Sequence, residues 1–75
     1  MFSITISSDD TGKSVGEILE RVRQTEVFKQ QAGSQYSHTS CIVTLDDIII
    51  PYSKLNTAIA YVGQNVKVIH LVGGG

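Results

Sequence analysis

Few residues in this chain are equipped for chemistry, and the most pointed of them stand at its end. Val66-Lys67-Val68-Ile69-His70-Leu71-Val72 is a dense apolar run that passes straight into Gly73-Gly74-Gly75. Glycine has no Cβ, so a run of it is costly to order and offers nothing to pack. It does leave a thin backbone ending in an unhindered α-carboxylate, which a narrow pocket of another protein can admit. The expectation is that the domain presents this carboxylate, at Gly75, to another protein. Gly73 and Gly74 keep that end slim, and Leu71 and Val72 are placed to meet a partner. The competing account is a frayed end or an appended segment. For Leu71 and Val72, core packing is equally compatible.

The remaining candidates carry less. His38 and Cys41 are three residues apart, but two ligands without a third or fourth make a poor metal site, so they read as a loop histidine and a buried cysteine. His70 suits a half-exposed strand position, with contact to a partner near the tail as the functional alternative. Asp46-Asp47 and Asp9-Asp10 are adjacent carboxylates that suit turns, where neighbouring side chains point apart, rather than an acid and base pair. No Ser, His and Asp arrangement is suggested. The expectation is no bound cofactor, no metal and no enzyme active site.

The elements that would position the tail follow from periodicity. Phe2, Ile4 and Ile6 alternate with Ser3, Thr5 and Ser7, which predicts a first strand with one buried face. Residues 8–13 are polar turn formers and should leave the sheet or form at most a short return strand. Ser14-Val15-Gly16-Glu17 fits a capping box, and Val15, Ile18, Leu19 and Val22 continue it with helical spacing. Glu17, Glu20, Arg21 and Arg23 mark the solvent side of that helix. Val27 and Phe28 fall off the stripe, so the helix either ends near Gln24, with a second turn carrying them, or runs on to about Gln31. Residues 32–40 read as a loop.

Cys41-Ile42-Val43-Thr44-Leu45 and Ile48-Ile49-Ile50 are strand-like runs separated by Asp46-Asp47, a two-residue hairpin turn. Pro51 removes a ladder donor and should end the second run. Residues 53–60 suit a short helical or turn segment, and Gly63-Gln64-Asn65 a turn into the last strand.

Composition bounds the rest. With 75 residues there is room for one domain with a modest core, since chains of roughly 60 residues bury only about 60% of their unfolded surface. A net charge of −1 with scattered Lys and Arg argues against a binder that lives on phosphate contacts. One cysteine cannot form an internal disulfide, which suggests a reducing compartment. No signal-like start or membrane-spanning run is present, so a soluble cytoplasmic setting is expected.

Two stretches carry a family resemblance. Val43-Thr44-Leu45-Asp46-Asp47-Ile48-Ile49-Ile50-Pro51, with Ser53, has an apolar strand, a tight polar turn, paired aliphatics and Pro-x-Ser. Residues 63–75 have a Gly turn, an alternating strand and a terminal Gly-Gly. With the looser helix start at Ser14-Val15-Gly16-Glu17-Ile18-Leu19, they cover about half the chain. In this order the chain resembles the ThiS-type sulfur carriers of thiamine thiazole biosynthesis, in the ubiquitin-like β-grasp group that also holds the molybdopterin-synthase small subunit. It departs from the pattern in lacking aliphatics at residues 8–13, in a longer 25–40 segment, in Asp-Asp at the hairpin turn, and in Tyr52 after Pro51.

The order of the elements predicts an α+β arrangement, a mixed sheet with one helix on one face. The resemblance implies that it is of the β-grasp type: four to five strands on one main helix, with residues 1–72 as the domain and 73–75 as a flexible tail. It implies a carrier rather than an enzyme. A ubiquitin-activating-like adenylyltransferase would use ATP to adenylate the Gly75 carboxylate, with Gly73 and Gly74 as slim reach and Leu71 and Val72 lining its groove, and a donor such as a cysteine desulfurase would supply sulfur for a thiocarboxylate. Thiazole synthase would be the acceptor enzyme. The carrier alone is expected to be monomeric and to bind neither nucleic acid nor membrane. Alternatives are a carrier for another metabolite of molybdopterin or secondary type, a ubiquitin-like protein modifier, and a β-grasp interaction module whose glycines are incidental.

Overall fold

Alternating and helical apolar periods turn into an antiparallel sheet with its helices on one face. The computed structural model describes residues 2–32 and 41–70. In chain order the elements are β1 (Phe2–Thr5), α1 (Val15–Val22), α2 (Glu26–Ala32), β2 (Cys41–Leu45), β3 (Ile48–Ile50), a 3-10 turn (Tyr52–Lys54) and β4 (Asn65–His70). The strand order is β1-β4-β2-β3. The last strand is therefore an inner one, held by β1 on one side and β2 on the other.

Every strand pair is antiparallel, which corrects the mixed sheet expected from the order of the elements. Phe2 lies opposite Val68 and Thr5 opposite Asn65, so β1 runs against β4. Beyond β1, Ile6 keeps the same partner segment: its N–H donates to Gln64 O at 2.8 Å and its C=O accepts from Gly63 N at 2.9 Å. Residues 8–13 then turn away as their polar composition predicts, and no second hairpin strand forms. The sheet of the described residues has four strands, not five. The chain crosses by way of the helices to β2, which runs in the direction of β1 with β4 between them.

α1 begins where the sequence marks it. Ser14 is the N-cap, and its Oγ accepts from the Glu17 N–H at 3.1 Å. The reciprocal bond of a capping box is not made: Glu17 is exposed, and the neighbouring backbone is tied to residues 58–60 instead. Val15 N–H donates to Ala58 O at 2.8 Å and Ala60 N–H to Lys13 O at 2.9 Å. Val15, Ile18, Leu19 and Val22 are the buried face.

The helix stops at Arg23, as the shorter of the two sequence alternatives allows. Thr25 starts α2: its hydroxyl donates to Val22 O at 2.7 Å and accepts from Phe28 N–H at 3.3 Å. That restart rotates Phe28 inward, where its ring meets Phe2 edge-on with centroids 4.8 Å apart. Val27 is left exposed.

The core joins Phe2 and Ile6, the α1 face, Phe28, Cys41, Val43, Leu55, Ala60, Val66 and Val68. Each fully buried aliphatic or aromatic side chain contributes about 1.5–3 kcal/mol before the entropy of ordering is charged against it. Among the described residues no helix is long and apolar enough to cross a membrane.

Candidate functional site

The end of β4 is the place where the sequence puts its chemistry. β4 is paired on both sides up to Val68, which faces Phe2 on β1 and Val43 on β2. Ile69 and His70 continue opposite Ile42 and Cys41 of β2. Leu71, Val72, Gly73, Gly74 and Gly75 lie outside the described residues, and so does His38. His70 is thus the last described residue, and the backbone reaches it as part of an inner strand.

Two features border this exit. Cys41, across from His70, is buried at the start of β2. Beside it, an apolar hollow of about 150 Å³ opens near Pro51, where β3 ends, with Ile42, Ile50, Tyr52 and Leu55 in its wall. No group of three or more potential metal ligands occurs among the described residues.

The start of β4 is held by the hairpin turn. Asp46 and Asp47 both have positive φ, 50° and 67°, the left-handed pair that a two-residue turn of this hand requires. Their carboxylates do point to different places. Asp46 Oδ1 accepts from Asn65 N–H at 2.8 Å and its Oδ2 accepts from Gln64 Nε2 at 3.2 Å. Asp47 Oδ1 takes Lys67 Nζ at 2.8 Å. Both residues bind β4 to the hairpin, so the turn reading holds and no acid and base pair is formed. Asn65 extends the clamp to β1, its Nδ2 donating to Ile4 O at 3.0 Å.

One polar residue has a larger role than the sequence suggested. Asp10, read as a turn residue, is 5% exposed, and Arg21, assigned to the solvent side of α1, turns back to it. The guanidinium donates from Nη1 to Oδ1 and from Nη2 to Oδ2, both at 2.7 Å. Lys13 Nζ adds a longer contact at 3.4 Å. These bonds from Arg21 hold the Asp10 carboxyl below the usual carboxylate range against the opposing effect of burial, and Asp10 in turn raises Arg21. The pair fastens the turn after β1 to the last turn of α1, far along the chain from the glycines. No spacing rule joins residues 10 and 21, which leaves only the turn position and the helix face legible in advance.

The chain was compared with models of protein families, with curated proteins and with solved structures, and it matches none of them.

Proposed function

We propose that this chain is a sulfur carrier of the β-grasp group, with the Gly75 carboxylate as the group that is activated. The observation that carries the reading is the course of β4. The strand that leads into Leu71-Val72-Gly73-Gly74-Gly75 is an inner one with partners on both sides, so a well-held strand precedes a slim end. The helices on one face and the inner last strand favour a β-grasp arrangement, while the direction of β1 is a departure from it.

In this reading a Gly75 carboxylate oxygen attacks the α-phosphate of ATP in an adenylyltransferase, and pyrophosphate leaves. The terminal sulfur of an enzyme persulfide then attacks the acyl carbon and AMP leaves. A thiol reduces the resulting S–S bond, releasing the thiocarboxylate. The carrier contributes the acyl group and an unhindered approach to it, and the partner enzymes contribute the catalysis. Thiazole synthesis is the favoured destination of the sulfur.

The test is to incubate the chain with ATP, an activating enzyme and a persulfide donor, then weigh it intact. The expected result is the mass change for one oxygen replaced by sulfur, lost when Gly74 and Gly75 are removed. No change, beside a known carrier that is labelled in parallel, would overturn the reading. It also requires Gly75 to be a free terminus, which the intact mass of the protein from its host measures directly.

A further inference from the structure

β3 is the outermost strand on one side of the sheet, and among the described residues no strand lies beyond it. The two-residue turn fixes which backbone groups it leaves open. Residues flanking such a turn are a hydrogen-bonded pair, and bonded and non-bonded pairs alternate from there. Leu45 with Ile48 and Val43 with Ile50 therefore exchange the ladder bonds, while Thr44 and Ile49 face each other without them. The N–H and C=O of Ile49 point away from the sheet. Exposed edges are commonly blunted by charged side chains. This one carries three isoleucines, of which Ile48 is 67% and Ile49 62% exposed.

We propose that the β3 edge docks a second copy of this chain, related by a two-fold axis at Ile49. In that arrangement the two Ile49 residues exchange N–H···O=C bonds, and each Ile48 lies opposite the second copy's Ile50. The edge is complementary to itself. Ile48 is a projecting apolar side chain at one end, and the hollow of about 150 Å³ walled by Ile50, Pro51, Tyr52 and Leu55 lies at the other. The two-fold brings each projection to the other copy's hollow, as an isologous interface must.

Charge selects the same orientation. Asp46 and Asp47 sit at one end of β3, and Lys54, which has no ion pair among the described residues, lies beyond the other. Antiparallel pairing sets Lys54 toward the second copy's acidic turn, whereas parallel pairing would stack acid on acid. Pro51 limits the paired stretch. The contact falls short of the roughly 1,200 Å² of stable interfaces, so the dimer forms in a concentration-dependent way. The proposal differs from the monomer expected from the sequence and holds whether or not Gly75 carries sulfur.

The experiment is sedimentation velocity on the full chain from low micromolar to millimolar concentration. The mass should rise from one chain toward two, and hydrogen exchange at the Ile49 N–H should slow in parallel. Ile49→Lys, at an exposed edge position where it leaves the core intact, should raise the dissociation constant at least about tenfold, as loss of a central contact does. Val62→Lys, at an exposed apolar position outside this edge, should leave association unchanged. A chain that stays monomeric throughout, an Ile49→Lys variant that associates like the parent, or dissociation by Val62→Lys would each overturn the proposal. Growth beyond two copies would also do so, since it would mean an open-ended contact between unlike edges.

Discussion

Replacing Asp10 by Asn should destabilise the fold at neutral pH far more than a turn substitution normally does. The change keeps the size of the side chain but removes the charge and one of the two oxygens that Arg21 holds at 2.7 Å. Hydrogen bonds to charged groups contribute about 1.5–3 kcal/mol each. Arg21 is 55% exposed and is resolvated when its partner is lost, so the lower part of that range for the whole pair, about 2 kcal/mol, is the expected cost. In a domain of this size that lowers the melting temperature by roughly 8–16 °C. Arg21→Met should cost more, on the order of 3 kcal/mol, because it leaves a buried carboxylate with only Lys13 near it. The pH dependence gives the sharper check. The folded Asp10 carboxyl is held below its ordinary value, so its contribution is fully present above about pH 4 and disappears as pH falls through the folded value. Thermal melts of the parent and Asp10→Asn should therefore converge under acid. A neutral-pH difference below about 0.5 kcal/mol, within the range of ordinary surface changes, would refute the assignment, as would one that persists undiminished in strong acid.

Four further substitutions probe the parts that position β4 and α1. Thr44 is buried, and its hydroxyl has no hydrogen-bond partner among the described residues, so Thr44→Val should stabilise by about 1 kcal/mol in urea unfolding. Gly16→Ala should cost about 1–3 kcal/mol despite the higher helix propensity of Ala, since the new methyl meets Asn56 Oδ1 and lies 3.2 Å from the backbone of Leu55; an alanine variant as stable as the parent in the same melts would contradict the close approach. Asp46→Ala should lose about 1–2 kcal/mol and leave the Asn65 N–H without its side-chain acceptor, visible as faster hydrogen exchange there. Asp47→Gly should come out near neutral, because relief of a left-handed φ offsets the loss of an exposed ion pair with Lys67.

The two hydrophobic periods made most of the architecture legible. Alternation at Phe2, Ile4 and Ile6 and the helical stripe from Val15 to Val22 both buried the faces they mark, although Ile4 is only partly covered. Asp46-Asp47 read correctly as a two-residue turn because aspartate tolerates a left-handed φ better than most residues. Strand direction was not legible. Periodicity gives a strand its faces but says nothing of its neighbour or its sense, and the mixed sheet expected from the order of the elements was wrong for that reason. The pairing of Asp10 with Arg21 was hidden for a related reason: it depends on where a turn is folded back against a helix, a tertiary fact without a local signature. For the candidate site, the sequence identified the strand and the glycines, and the structure adds the strand's inner position, the buried Cys41 across from His70 and the adjoining hollow.

The two proposals can coexist because they use different strands of the sheet. β3 lies two strand spacings, roughly 10 Å, from β4, so a copy added at its outer edge lengthens the sheet without pairing with the strand that leads to the glycines. Both copies would keep β4 between β1 and β2. A two-fold axis at Ile49 reverses strand direction in the second copy, so the two β4 strands run toward opposite ends of the joined sheet. Each exit would then be separated from the other by the width of four strands, and two partner enzymes could approach without meeting. The hollow near Cys41 would be filled by the second copy's Ile48, which removes apolar surface beside each exit. Dimerisation would thus leave the carboxyl end available while narrowing what a partner can grip, and an activating enzyme that needs the β3 edge would compete with it. Adenylation rates measured across the dimer transition separate these cases: a rate per chain that is constant with concentration means the exit alone is used, and one that falls means the edge is shared.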